Sequence, residues 1–129
     1  MSNTKYGIIG SRNFIDKVLF LSKLNEVIAL EGTPKLVISG GAKGADALAE
    51  EWAKENKIDF EVFLPQYKDF PKKERKFAAP KARNTLIAEY SDIIIAFWDC
   101  QSTGTKNTID KGIALGKRVY IFDVNIINP

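Results

Sequence analysis

The 129-residue sequence has no histidine and only one cysteine, Cys100. A single thiol excludes an internal disulfide framework, and without imidazoles it leaves no ordinary transition-metal site. Zinc chemistry and a Ser-His-Asp nucleophile are excluded with it, so no metal and no cofactor are expected. No apolar run approaches the roughly 18 residues of a membrane span, and no basic-plus-apolar leader opens the sequence. The expectation is therefore a cytoplasmic chain with no membrane partner. Neither sign of charge dominates: 19 Lys and Arg stand against 16 Asp and Glu, a formal net charge of +3. So mild an excess does not by itself argue for nucleic acid. What is present is 45% hydrophobic residues, enough for the core of one ordinary domain spanning 1–129.

The chain is organised around Ser39-Gly40-Gly41-Ala42-Lys43-Gly44-Ala45-Asp46. Leu36-Val37-Ile38 before it is short, apolar and partly β-branched, as a buried strand would be. After it, Ala45, Leu48, Ala49, Trp52 and Ala53 recur at the spacing of one helix face. A glycine-rich turn between strand and helix lets backbone approach a ligand and aims the first helical N–H groups at one point, which suits phosphate. The stretch satisfies neither G-x-G-x-x-G nor G-x-x-x-x-G-K-[ST]. Two readings stand: a tight turn that binds nothing, and an anion site.

Taken in order, Lys5 to Ile9 reads as a first strand ending in Gly10-Ser11-Arg12, where a guanidinium beside a glycine turn suits phosphate or carboxylate. Ile15, Val18, Leu19, Leu24, Val27 and Ile28 predict a helix of about four turns. Asp16 suits its start and Gly32-Thr33-Pro34 its end. A third strand, Phe60 to Leu64, closes at Pro65. Residues 65–80 read as a long basic loop, rich in lysine and arginine from Lys68 to Arg83 and interleaved with Tyr67, Phe70 and Phe77. Such a loop is a solvated segment, or a rim that attracts a phosphorylated ligand or a single strand. Lys81 to Tyr90 returns to helical spacing, and Asp92 to Trp98, without polar alternation, belongs near a sheet centre. The hydroxyl-rich turn from Asp99 to Thr105 precedes another helix carrying Ile109, Gly112 and Ile113. Arg118 to Phe122 is the last strand, with a tail from Asn125 to Pro129 folded back over an edge.

This alternation predicts an α/β single-domain, Rossmann-like three-layer sandwich: a mostly parallel sheet of about five strands with helices on both faces. Ligands bind such sheets beyond the carboxyl ends of the strands at the switch point. Gly10 to Arg12, Ser39 to Gly44 and Ser102 to Thr105 all fall at such ends, so they should converge on one anionic guest.

The set Gly10-Ser11-Arg12, Ser39 to Asp46, Arg83-Asn84 and Ser102-Thr103-Gly104-Thr105 resembles the SLOG superfamily and, within it, the small YspA/YpsA-related Rossmann-like proteins. The resemblance covers nearly the whole chain. Relatives include the single-strand-binding DNA-processing protein A fold, the Lonely-guy phosphoribohydrolases that cleave a nucleoside monophosphate's N-glycosidic bond, and sensors of ADP-ribose-type or cyclic nucleotides. Against the phosphoribohydrolases, Arg83 and Asp92 match a paired arginine and aspartate, and Gly104-Thr105 resembles part of a P-G-G-x-G-T-x-x-E motif. No P-G-G precedes it here, and the glutamate position holds Thr108. Threonine cannot supply the charge that the family's glutamate brings to a ribosyl centre.

The reading that follows is a protein binding a phosphorylated nucleotide-derived ligand, as sensor or sequestering protein. Gly10, Ser11, Arg12, Gly40, Gly41, Ala42, Gly44, Arg83, Asn84, Ser102, Thr103, Gly104 and Thr105 form its expected site. Asp46 accepts from a ribose hydroxyl or holds the turn, and Phe14 or Trp98 stacks on a base or fills the core. Two alternatives remain, a phosphoribohydrolase retaining Arg83 as catalytic residue and a single-strand binder using Lys72, Lys73, Arg75 and Lys76, with nucleic acid not favoured. The resemblance also implies a homo-oligomer.

Overall fold

Five short apolar runs become strands, and every pairing between them is parallel. The computed structural model describes residues 3–125. In chain order the elements are β1 (Lys5–Gly10), α1 (Lys17–Glu31), β2 (Leu36–Ser39), α2 (Ala45–Glu55), β3 (Asp59–Val62), a 3-10 turn (Tyr67–Asp69), α3 (Arg75–Tyr90), β4 (Ile93–Trp98), α4 (Thr103–Ala114) and β5 (Arg118–Asp123). The strand order is β3-β2-β1-β4-β5. After β1 the chain steps outward through β2 and β3, then returns through α3 to the other side of β1 for β4 and β5. The switch point therefore lies where β1 meets β4, the geometry that leaves a crevice beyond the strand ends. The expected Rossmann-like α/β sandwich is the fold observed. The tail expected over Asn125 to Pro129 lies, beyond its first residue, outside the described residues.

Two apolar layers cover the sheet. On one face Phe20, Leu24 and Val27 of α1 and Ala45, Ala49, Trp52 and Ala53 of α2 pack on Tyr6, Ile8, Val37, Ile93, Ile95 and Phe97. On the other, Ile87 and Ala88 of α3 and Ile109 of α4 pack on Ile9, Ile38, Ile94 and Ala96. Alternate residues of β1 and β4 thus serve opposite layers, which is why no charged side chain follows Lys5 in β1 and none occurs in β4. Each fully buried large side chain contributes about 1.5–3 kcal/mol of transfer free energy.

Several sequence expectations need correction. α1 starts at Lys17 with Asp16 as its N-cap, the carboxylate accepting from Leu19 N at 3.0 Å. Ile15 therefore precedes the helix, and Val18 falls with Ser22, Asn25 and Ala29 on its outer face; both apolar side chains are exposed. Ile113 is likewise exposed rather than core. β3 ends at Val62, short of Leu64. The largest difference is residues 65–80, which are not one loop: a 3-10 turn occupies Tyr67–Asp69 and α3 begins at Arg75, with Pro80 inside it. Proline lacks the N–H that would reach back one turn, but one missing bond near the start of a 16-residue helix is tolerated when the flanking alanines favour helix and Ala79 is buried.

Among the described residues no helix is long and apolar enough to cross a membrane.

Candidate functional site

The carboxyl ends of β1, β2 and β4 each hand the chain to a turn, and the three turns line one hollow of about 630 Å³. Gly10 and Arg12 come from the first, Gly40, Ala42 and Asp46 from the second, and Asp99 and Ser102 to Thr105 from the third. Arg83 and Asn84 reach it from α3, with Pro80 and Ile87 beside them. The expected convergence is therefore present.

Ser11 ties the turns together rather than facing the hollow. Its hydroxyl accepts from Asp99 N at 3.0 Å and bonds Ser102 Oγ at 3.1 Å, while its backbone N donates to Phe97 O at 2.9 Å. Asp99 continues the clip: Oδ1 accepts from Ser102 N at 2.7 Å and Gln101 N at 2.9 Å. These amides, Ser102 first, hold the Asp99 carboxyl below the usual carboxylate range. Asn84 performs a similar service from α3, donating to Asn107 Oδ1 at 3.1 Å and Gly104 O at 3.4 Å.

The glycine turn after β2 differs from the expected phosphate cradle. Gly40 N and Ala42 N both donate to Asp46 Oδ2, at 3.0 and 3.2 Å, and Gly41 N donates to Ser39 Oγ at 3.3 Å. The carboxylate at the second position of α2 takes the amides a phosphate would need. Gly41 and Gly44 do not line the hollow. Gly44 serves the backbone instead: its φ is +75°, and a Cβ there would collide with the carbonyl oxygens of Ser11 and Arg12. The anion-attracting feature lies across the hollow at α4, whose N-cap Ser102 makes no side-chain cap bond to the first-turn amides. Thr103, Gly104 and Thr105 supply those amides and line the cavity.

Arg83 is half-buried; its Nη1 donates to Gly40 O at 2.8 Å and its Nε to Asn84 Oδ1 at 2.8 Å. Nη2 makes no hydrogen bond to any described residue, so one edge of the guanidinium is free for a guest. Burial lowers its pKa, opposed by the nearby Asp46 charge. Asp46, only 6% exposed, has its pKa raised by burial, against the pull of the two amides, Arg83 and Arg12.

Both aromatic candidates belong to the core. Phe14 is buried and stacks on Phe97 with centroids 5.3 Å apart, and Trp98 packs beside Ile9 and Ile94 with its indole N–H donating to Ser102 O at 3.0 Å. Asp92 lies at the opposite end of the sheet, accepting from Lys5 N at 2.9 Å. Asn13 was not singled out in the sequence, and Asp99 and Thr108 were noted there but not placed among the expected ligand-binding residues; all three line the hollow. The signal for Asp99 was its place three residues before Ser102, the spacing of a side chain that caps a turn.

A parallel five-stranded domain with a ligand-sized hollow at its switch point is the class these features define. More narrowly, residues 8–70 match the model of the YspA, cpYpsA-related SLOG family, YAcAr, so the SLOG resemblance holds. That segment includes Gly10 to Arg12 and Ser39 to Asp46, and ends before Arg83 and Ser102 to Thr105. Two solved structures share the fold. DNA processing protein A (DprA) from Streptococcus pneumoniae superposes with a TM-score of 0.72 at 21% identity, over 97% of this chain and 52% of that one. The chain thus spans about half the length of the pneumococcal protein. The structural-genomics protein TM1055 gives a TM-score of 0.63 at 20% identity, over 90% of this chain and 72% of that one. No curated protein matches the sequence.

Proposed function

We propose that the hollow binds a phosphorylated, nucleotide-derived small molecule, an ADP-ribose-type compound, a signalling nucleotide or a nucleoside monophosphate, and that the protein acts as a sensor or sequestering protein. One observation carries this reading: the uncapped first turn of α4, the free edge of Arg83 and the exposed Arg12 all line a single cavity of ligand size. Two guanidiniums and a helix amino end together favour a compact anion. The phosphate belongs at Thr103, Gly104 and Thr105, since the Gly40, Gly41 and Ala42 amides are already taken.

Turnover is not expected. Thr108, at the position of the phosphoribohydrolase glutamate, lines the hollow but is uncharged, its hydroxyl donating to Gly104 O at 3.3 Å. Single-strand binding along Lys72, Lys73, Arg75 and Lys76 is the second reading, supported by the exposure of the three lysines and of Tyr67 and Phe77 in the same stretch of chain and by likeness in fold to a DNA-processing protein.

Native mass spectrometry of freshly purified protein, followed by calorimetric titration with ribonucleoside monophosphates and ADP-ribose, tests the proposal. A stoichiometric complex is expected, weakened about tenfold or more in Arg83→Ala, the range for a lost charged hydrogen bond. Chromatography of the same mixtures should show no free base; steady base release abolished by Arg83→Ala would establish hydrolysis instead.

A further inference from the structure

Asp46 has two carboxylate oxygens, and the turn uses only one. Oδ2 accepts both amide bonds, from Gly40 and Ala42. Oδ1 makes no hydrogen bond to any described residue, and neither Arg12 nor Arg83 forms an ion pair with it. Yet it is not sealed: among the described residues, the buried side-chain atoms without a partner are Arg75 Nε and Ser91 Oγ. Oδ1 therefore reaches solvent, and Asp46 lines the hollow. A side chain 94% removed from solvent thus lines the cavity with one oxygen unbonded, and in the ionised form that oxygen can only accept.

An ionised acceptor repels phosphate, so it marks a place where the guest must carry a donor. The opposite wall supplies the contrary preference, because the first-turn amides of α4 seek an anion. β2 and β4 flank β1, so their carboxyl ends lie two strand spacings apart, about 10 Å. A pentose 5-phosphate spans that gap once a hydrogen bond is added at each end. Its phosphate meets α4 and its secondary hydroxyls meet Asp46.

Building on the proposed nucleotide site, we propose that Asp46 Oδ1 reads the ribose hydroxyls, making the protein selective for ribonucleotides with a free diol over deoxy compounds. Asp46 is thereby a specificity-determining residue, anchored by one oxygen and reading with the other. Deoxyribose strands lack the donor and are disfavoured in this hollow.

The test measures dissociation constants for the four ribonucleoside 5′-monophosphates, their 2′,3′-dideoxy counterparts and inorganic phosphate, on the wild-type chain and on Asp46→Asn. In the variant the amide oxygen still accepts from the turn, but an NH2 faces the cavity. The best-bound ribonucleotide should exceed its dideoxy counterpart at least about tenfold in the wild type, and by no more than about twofold in Asp46→Asn. Equal tight binding of both compounds by the wild type, or an undiminished preference in the variant, would overturn the role of Asp46 while leaving the anion site standing. No binding of any phosphorylated compound would overturn the site and the diol reading together. Should Asp46→Asn not fold, the wild-type ratio decides alone.

Discussion

Asp46 is held where its charge is disfavoured. Burial raises its pKa in the folded chain above the unfolded value, so the folded state binds more protons between the two. By linkage, its contribution to stability is greatest below the unfolded pKa and falls as pH rises through the folded one. Asp46→Asn removes that dependence. Melting temperatures of both proteins, followed from about pH 4 to about pH 7, should show the variant gaining on the wild type as pH rises. A wild type that gains on the variant over that range would mean that the two amides and the arginines outweigh burial. Residues of this kind were partly legible: Gly10, Arg12 and Thr103 stood out as glycine, guanidinium and hydroxyl at strand ends, and Arg83, on α3, through the family resemblance. Ser11 was expected to face the ligand and instead ties the turns together, and of the two readings left open for Phe14 the core one is observed, since sequence does not say whether a side chain beside a turn faces inward. The two bonds from Ser11 Oγ to the Asp99 turn cross 88 and 91 residues of chain.

At the level of elements, the glycine turn between β2 and α2 depends on one backbone approach. Gly44 sits at φ +75° against the carbonyls of Ser11 and Arg12, and Ala45 N donates to Ser11 O at 3.4 Å. Gly44→Ala meets both a left-handed backbone penalty and a clash with main chain that cannot step aside. Denaturant unfolding should show a loss of about 2 kcal/mol or more, larger than typical for a surface substitution. Strands and the helices of the first half were legible because their periods are clean. α3 was misplaced by six residues at its start because Pro80 reads as a boundary in sequence, whereas here it lies within the helix, a few residues after the start.

Across the whole molecule, charge separates the two binding readings. Lys72, Lys73 and Lys76 lie exposed near the start of α3 and do not line the hollow. Affinity for a mononucleotide should change little with salt, and little in a Lys72→Ala/Lys73→Ala/Lys76→Ala triple variant, when measured by titration. A single strand neutralising several phosphates would instead show a slope of log K against log salt near −0.7 for each. Such a slope, lost in the triple variant, would move the function to the basic face. The parallel sheet itself was legible in the sequence, because alternating strands and helices are joined by right-handed crossovers, whereas the order β3-β2-β1-β4-β5 was read only from the structure.

The bonds that run from the end of β1 to the Asp99 turn, within that turn, and from the Gly40 turn to α2 tie the walls of the cavity to one another. For the ligand proposed above, walls cross-tied in this way leave little ordering to be done on binding. On the proposed reading, a misfit of shape or polarity meets walls held by these bonds, and discrimination among similar ligands is expected from rejection rather than from closure.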